Sequence, residues 1–140
     1  MLNSDTAIEH LTDRFLDRSL PKSEWTHTAH FAVALSLLNR LGSEAYSRMP
    51  EGIREYNVAT GVANTDTEGY HETITLASLR AANHVMNLHP NASITEHLNI
   101  MMDREFARSD WLFDYWSKPV LFSVEARRSW VAPDLAPLPF

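Results

Sequence analysis

The sequence predicts an all-α fold: a single-domain compact bundle of four to five longer helices, followed by short C-terminal turns and an extended Pro-rich tail. Apolar residues recur at helical spacing along the chain, whereas the alternation typical of strands does not appear. A chain of 140 residues fits one domain, here 1–140, and is long enough to bury a core. Because there is no cysteine, neither disulfides nor thiolate ligands contribute to this fold.

Two helices are predicted before Gly42. The first begins at Thr6, which forms a capping box with Glu9, and it ends before Pro21, which disfavours continuation. The second begins near residue 24 or 26 and runs to residue 41, where Gly42 suits a helix C-terminus. The segment between them, "SLPKS", is therefore expected to be a short connection.

Two further helices, separated by one loop, are predicted in the middle of the chain. The segment 43–61 is helical on both sides of Pro50, which either begins a new helix or kinks a longer one. The stretch "GVANTDTEGY" is rich in turn residues and predicts the one substantial loop. The fourth helix is expected from about Tyr70 to Leu88, since Pro90 stops it.

The C-terminal third predicts shorter elements. Ser93 and Glu96 form the capping box of a fifth helix. The stretch "SDWLFDYWSK" predicts a short aromatic helix that Pro119 ends, and "SVEARRSW" predicts one or two more turns. The tail "VAPDLAPLPF" has three prolines in ten residues, so an extended conformation is expected.

Composition argues against two classes of partner. Asp and Glu number 18 and Lys and Arg number 12, so the formal net charge is −6 and no basic footprint for nucleic acid is present. No stretch approaches the 18 or so uninterrupted apolar residues that a membrane span requires. The N-terminal segment also lacks a secretory pattern, and we expect a cytoplasmic protein that binds neither nucleic acid nor membrane.

Two histidines interrupt the apolar face of the second helix. Successive helical residues turn by about 100°, so His30 lies about 60° from His27 and both share the face of Phe31 and Leu38. Residues three apart on a helix have β-carbons about 5–6 Å from each other, close enough for both rings to meet one ion. In the first turn of the fourth helix, His71 borders the apolar stripe and supplies a third inward imidazole.

Three converging imidazoles predict a mononuclear metal site formed by His27, His30 and His71. Neutral imidazole is a common ligand of divalent ions, and nitrogen ligands alone do not distinguish Zn, Fe and Cu. Three protein ligands leave an open coordination position, as in catalytic zinc sites. The sequence therefore predicts a small metal-dependent enzyme that acts on a small molecule, by water activation or by oxidation.

Five further residues are assigned to this predicted site. We expect Glu72 to transfer protons and Tyr70 to take part in catalysis, while the predicted substrate-binding residues are Trp25, Tyr56 and Asn57.

Three alternatives remain open, and in the first of them the metal is purely structural and stabilises the fold. The spacings Glu24–His27 and Glu68–His71 match the Glu-x-x-His pair of di-iron bundles, so those acids are possible extra ligands of a dinuclear site. In the third alternative, the buried histidines are structural and hydrogen-bond to backbone carbonyls. The chain would then be a non-catalytic helical domain that binds a ligand or a partner. The remaining histidines are predicted at the surface or edge: His10, His84, His89 and His97.

Three short motifs resemble those of a family of small all-helical, mostly bacterial proteins of uncharacterised activity. They are "WTHTAH" (25–30), "YN" (56–57) and "GYHET" (69–73), and the ending "LFSVEARRSWVAPDLAPL" is similar to theirs as well. The resemblance covers most of the chain. It implies an all-helical fold and carries no activity, so it adds weight only to the residues already singled out.

Overall fold

A computed structural model describes residues 2–140 and confirms the all-α class. Its α-helices are α1 (Asp5–Leu16), α2 (His27–Leu41), α3 (Ala45–Ala59), α4 (Glu72–Leu88), α5 (Ile94–Met102), α6 (Lys118–Leu121) and α7 (Val124–Arg128). Short 3-10 turns lie at Lys22–Glu24, Gly42–Glu44, Glu105–Ala107 and Trp111–Asp114. No strand is found among the described residues. The longer helices α1 to α5 form the predicted bundle.

Helix α2 is the centre of the bundle and packs against α1, α3, α4 and α5. Every residue from Phe31 to Leu38 is buried, because α2 has neighbours on all sides. Ser36 is buried with them, and its hydroxyl donates a hydrogen bond of 2.8 Å to the Glu9 carboxylate on α1. A helix that is apolar nearly all round is expected in this central position. His27 and His30 form its first turn and lie at one end of the core.

The predicted capping box is confirmed at α5 and wrong at α1, and α2 begins one to three residues after its predicted start at residue 24 or 26. Thr26 caps α2 by accepting the Ala29 amide at 3.2 Å, and Ser93 forms the predicted capping box of α5. At α1 the cap is Ser4, whose hydroxyl accepts the Ala7 amide at 3.1 Å. Thr6 lies inside that helix, because Ser4 already supplies the extended backbone and the hydroxyl that a cap requires.

The structure determines the positions of two prolines. The sequence pattern left the role of Pro50 open and predicted the wrong one for Pro119. Pro50 lies inside α3, so this segment is one longer helix. Pro119 lies in the first turn of α6, where its missing amide needs no partner, and it does not end the aromatic segment. That segment forms only the 3-10 turn Trp111–Asp114, so the predicted aromatic helix is wrong.

The C-terminal tail, residues 129–140, contains no helix and lies along the bundle. Its Val131 carbonyl accepts the indole N–H of Trp116 at 2.9 Å. The ring of the last residue, Phe140, stacks on His84 at 5.2 Å and contacts Phe106 at 6.0 Å between centroids. Among the described helices, none combines the length and the apolarity that a membrane crossing needs.

Candidate functional site

A partly enclosed cavity of about 420 Å³ lies among α2, α3, α4, the loop before α4 and the segment 109–112. Six of the eight predicted site residues line it: Trp25, His27, His30, Asn57, Tyr70 and His71. Most of the remaining wall is apolar, with Phe31, Met49, Ile53, Ile74, Trp111 and Leu112. Its size and its apolar wall with a few polar groups are typical of small-molecule sites.

One nitrogen of the His27 ring hydrogen-bonds to the protein, and the other does not. Its Nε2 lies 2.7 Å from the Phe106 carbonyl, so Nε2 carries the proton and donates it. The lone pair is therefore on Nδ1, and the bond from Nε2 is the one ring hydrogen bond that His27 makes to residues 2–140. No local pattern indicates that Phe106, which is 79 residues further along the chain, determines this tautomer.

The rings of His27, His71 and His97 hydrogen-bond to backbone, whereas no such bond to the described chain is found for either nitrogen of His30. The His30 ring packs perpendicular to the Trp25 ring, with 3.9 Å between ring centroids. Burial, together with the neighbouring His27, lowers the pKa of His30 from 6.5 to about 4. The ring is consequently neutral at pH 7, and each of its nitrogens needs a partner.

His71 lies one residue before α4 and is its N-cap, not part of its first turn as predicted. Its Nδ1 accepts the Ile74 amide at 3.2 Å, and its Nε2 donates to the Leu121 carbonyl at 2.7 Å. The side chain is buried, and burial lowers its pKa. Both nitrogens are thus engaged by backbone, which ties the start of α4 to the end of α6.

The predicted three-histidine metal site stays a prediction. Residues 2–140 contain no group of three or more histidine or acidic side chains arranged to hold an ion. For a metal to use His71, the ring must give up either the Ile74 amide or the Leu121 carbonyl. His27 needs no such change, because its Nδ1 lone pair is free.

Tyr70 connects Glu72 to the cavity. The Tyr70 hydroxyl donates a hydrogen bond to the Glu72 carboxylate, while Glu72 itself is not part of the cavity wall. Burial and the adjacent Glu72 carboxylate raise the pKa of Tyr70, so the phenol keeps its proton at neutral pH. The proton-transfer role predicted for Glu72 therefore requires Tyr70 as an intermediary.

Tyr56 supports the wall from behind instead of lining it, contrary to the prediction. Its hydroxyl donates to the Leu20 carbonyl at 2.8 Å, and its ring lies 5.5 Å from both Phe15 and Trp25. Since Phe15 also stacks on Trp25 at 4.5 Å, these rings fix the indole against His30. Asn57, the next residue, does reach the cavity.

Asn64 organises the loop that carries Tyr70 and His71, and the sequence analysis missed it. Its Oδ1 accepts the Asn57 side-chain amide and the Tyr70 backbone amide, each at 3.0 Å. Its Nδ2 donates to the Arg54 carbonyl at 3.1 Å. One side chain therefore joins the loop to α3. An Asn among several turn residues is too common for its pattern to reveal this role.

Neither acid considered for a dinuclear site lines the cavity. Glu24 pairs with Arg14 at 3.3 Å, and Glu68 lies exposed in the loop. A dinuclear centre that used Glu24 would thus have to break its ion pair with Arg14.

Among the remaining histidines, one prediction is wrong. His97 is buried, and its Nε2 donates to the His89 carbonyl at 2.7 Å. His10 and His89 are exposed, as predicted, and His84 is half-buried beneath Phe140.

Comparison with known proteins places the chain in no family. It matches no protein-family model, no curated protein and no solved structure. Function is therefore inferred from the cavity and from the chemistry of its walls.

Proposed function

We propose that the cavity binds an uncharged small organic molecule through the paired imidazoles of His27 and His30. The observation that carries this proposal is that the His30 ring lines an otherwise apolar cavity, and no hydrogen bond to the described chain is found for its two nitrogens. A ligand that supplies a hydroxyl or an amide would satisfy them, whereas an apolar ligand would leave them unpaired.

The charge of the wall defines the class of ligand. No Asp, Glu, Lys or Arg side chain lines the cavity. An ionised ligand would lose its hydration without gaining a counter-charge, which is strongly unfavourable in an apolar site. Trp25, Phe31 and Trp111 offer aromatic surfaces, so a flat ring is the body that packs best. The preferred ligand is an aromatic or other apolar ring bearing one polar group.

Binding of 2-naphthol tests this proposal, since this compound is an uncharged double ring with one hydroxyl donor. We expect 2-naphthol to quench tryptophan fluorescence in the wild type, and H30F to weaken its binding by about tenfold through loss of the acceptor nitrogen. Because the pKa of His30 is about 4, affinity should stay constant from about pH 7 to about pH 5.5 and fall only below that. An ordinary histidine would lose its acceptor lone pair near pH 6.5.

The matched control is H10F, which removes an exposed histidine on α1, far from the cavity wall. It should bind 2-naphthol as the wild type does. If H30F and wild type bind equally, or if affinity halves near pH 6.5, His30 is not the recognising group. Binding of naphthalene-2-sulfonate as strong as that of 2-naphthol would contradict the uncharged class.

The predicted metal-dependent enzyme is the second candidate, and one observation favours it. His27 and His71 each donate Nε2–H to a backbone carbonyl. This second-sphere bond is the usual one for histidines that ligate metal through the other nitrogen. In this proposal His27, His30 and His71 would hold Zn, Fe or Cu, and Tyr70 with Glu72 would deliver or accept a proton beside the open position.

Elemental analysis tests the metal directly. Protein expressed in medium supplemented with Zn, Fe and Cu is expected to carry about one ion per chain, and H27Q should lose it. The control H89Q removes an exposed histidine outside the cavity and should keep the ion. Wild-type protein without metal after this treatment would end the metal proposal and leave the proposal for 2-naphthol unaffected.

A further inference from the structure

A second, smaller concavity shares Tyr70 with the main cavity. Its volume is about 240 Å³, and its wall includes Arg54, Arg127 and Arg128 together with Asn64, Asp66 and Tyr70. Three guanidinium groups in one concavity stand out in a chain whose net charge is −6. Nothing in the proposed function uses these arginines.

One of the three arginines is neutralised within the concavity. Arg128 forms a two-pronged ion pair with Asp66, with hydrogen bonds of 2.7 and 2.6 Å. Asp66 is the one acid in the wall, and this pair engages both of its carboxylate oxygens. The concavity therefore keeps the positive charge of the other two arginines.

Arg54 and Arg127 have no carboxylate within ion-pair distance among residues 2–140. Both are nevertheless held in place. The Arg54 guanidinium lies 4.2 Å above the centre of the Tyr70 ring, and Arg127 donates to the carbonyls of Gly69 and Tyr70 at 3.1 and 3.3 Å. A guanidinium has five N–H donors, so each keeps donors for a ligand.

From this arrangement we infer that the concavity is a binding site for an oxyanion, a phosphate group by preference. Two guanidinium groups fixed before binding match the charge and the several acceptor oxygens of phosphate, and fixed donors lose little freedom on binding. The apolar main cavity has no charged group in its wall, so the two sites select ligands of opposite character. Tyr70 is common to both walls.

Titration with inorganic phosphate at constant ionic strength, followed by calorimetry and by amide chemical shifts, tests the inference. Wild type should bind phosphate in preference to chloride, with the largest shifts at residues 64–70. R54Q should weaken binding by about tenfold through loss of one charged donor. R127K keeps the charge but not the planar fork, and it should weaken binding by about threefold.

The control is R108Q, which removes an exposed arginine paired with Asp114 outside this concavity. It should bind phosphate as the wild type does. The inference is overturned if chloride competes equally with phosphate, or if R54Q and R108Q weaken binding alike. Unchanged amide shifts in R54Q without ligand would establish that its fold is intact, so that weaker binding reflects the lost guanidinium.

Discussion

Replacing Gly69 with alanine is expected to destabilise the fold by about 3–4 kcal/mol, the largest effect of any loop substitution considered. The residue has φ 80°, a conformation that costs an L side chain about 1 kcal/mol or more. A β-carbon there would lie 2.2 Å from the Ala63 carbonyl oxygen and 2.7 Å from Oδ1 of Asn64. Both distances are well inside van der Waals contact, so the loop must move.

The movement has a definite structural cost. Asn64 accepts the amides of Asn57 and Tyr70, and displacing it breaks hydrogen bonds worth about 1 kcal/mol each. Tyr70 and His71 then lose their fixed positions in the cavity wall, so G69A should also weaken 2-naphthol binding. The pattern "EGYH" identifies a turn glycine, but only the coordinates identify the atoms that exclude a side chain.

Gly61 provides a matched control for this prediction. It has φ 85° in the same loop, but a β-carbon there would meet nothing within 4 Å. G61A should therefore show only the conformational strain, about 1–2 kcal/mol. Urea unfolding followed by far-ultraviolet circular dichroism measures both variants. Equal losses in G61A and G69A would mean that the close approach at Gly69 does not constrain the loop.

The longer helices α1 to α5 were predictable because the signals for their starts and ends lie within a few residues of each helix. Gly42 after an apolar run is a local signal that correctly marks the end of α2, and the start predicted at residue 24 or 26 lies within three residues of the observed one. The prediction of a helix for the aromatic stretch was wrong, because its residues pack against several distant parts of the chain. Trp111, for example, contacts Phe31 and Phe106. Tertiary packing, which no local pattern encodes, favours a 3-10 turn there.

The same distinction between local patterns and long-range contacts applies to the candidate site. Helical periodicity was sufficient to direct His27 and His30 inward, and they do line one cavity with His71. Helical periodicity does not predict which group hydrogen-bonds to each ring nitrogen. Those partners are backbone carbonyls of Phe106 and Leu121, in segments 79 and 50 residues away from the histidines. Imidazoles with and without backbone partners therefore look identical in the sequence, although only the latter can bind a ligand without first breaking a hydrogen bond.

Replacing His71 with alanine is expected to destabilise the fold by about 3 kcal/mol. Loss of an N-cap costs about 1 kcal/mol, and the Leu121 carbonyl, buried beside it, would lose its donor at a further cost of about 1–3 kcal/mol. H71N retains an N-cap of the preferred type and loses only the bond to Leu121, so we expect it to recover about 1 kcal/mol. H10A, at an exposed position, should change stability by less than about 0.5 kcal/mol.

The H71N variant also separates the two roles considered for His71, because its helix cap is preserved. If His71 is only the cap and the tie to α6, H71N is less stable than wild type but keeps any metal and binds 2-naphthol normally. If His71 is a ligand, a folded H71N loses the ion that the wild type carries, and the backbone bonds of its ring must rearrange on metal binding. Denaturant unfolding and elemental analysis of one protein preparation distinguish these results. The two backbone hydrogen bonds of the His71 ring imply a structural role. Wild-type stability in both H71A and H71N would contradict that role.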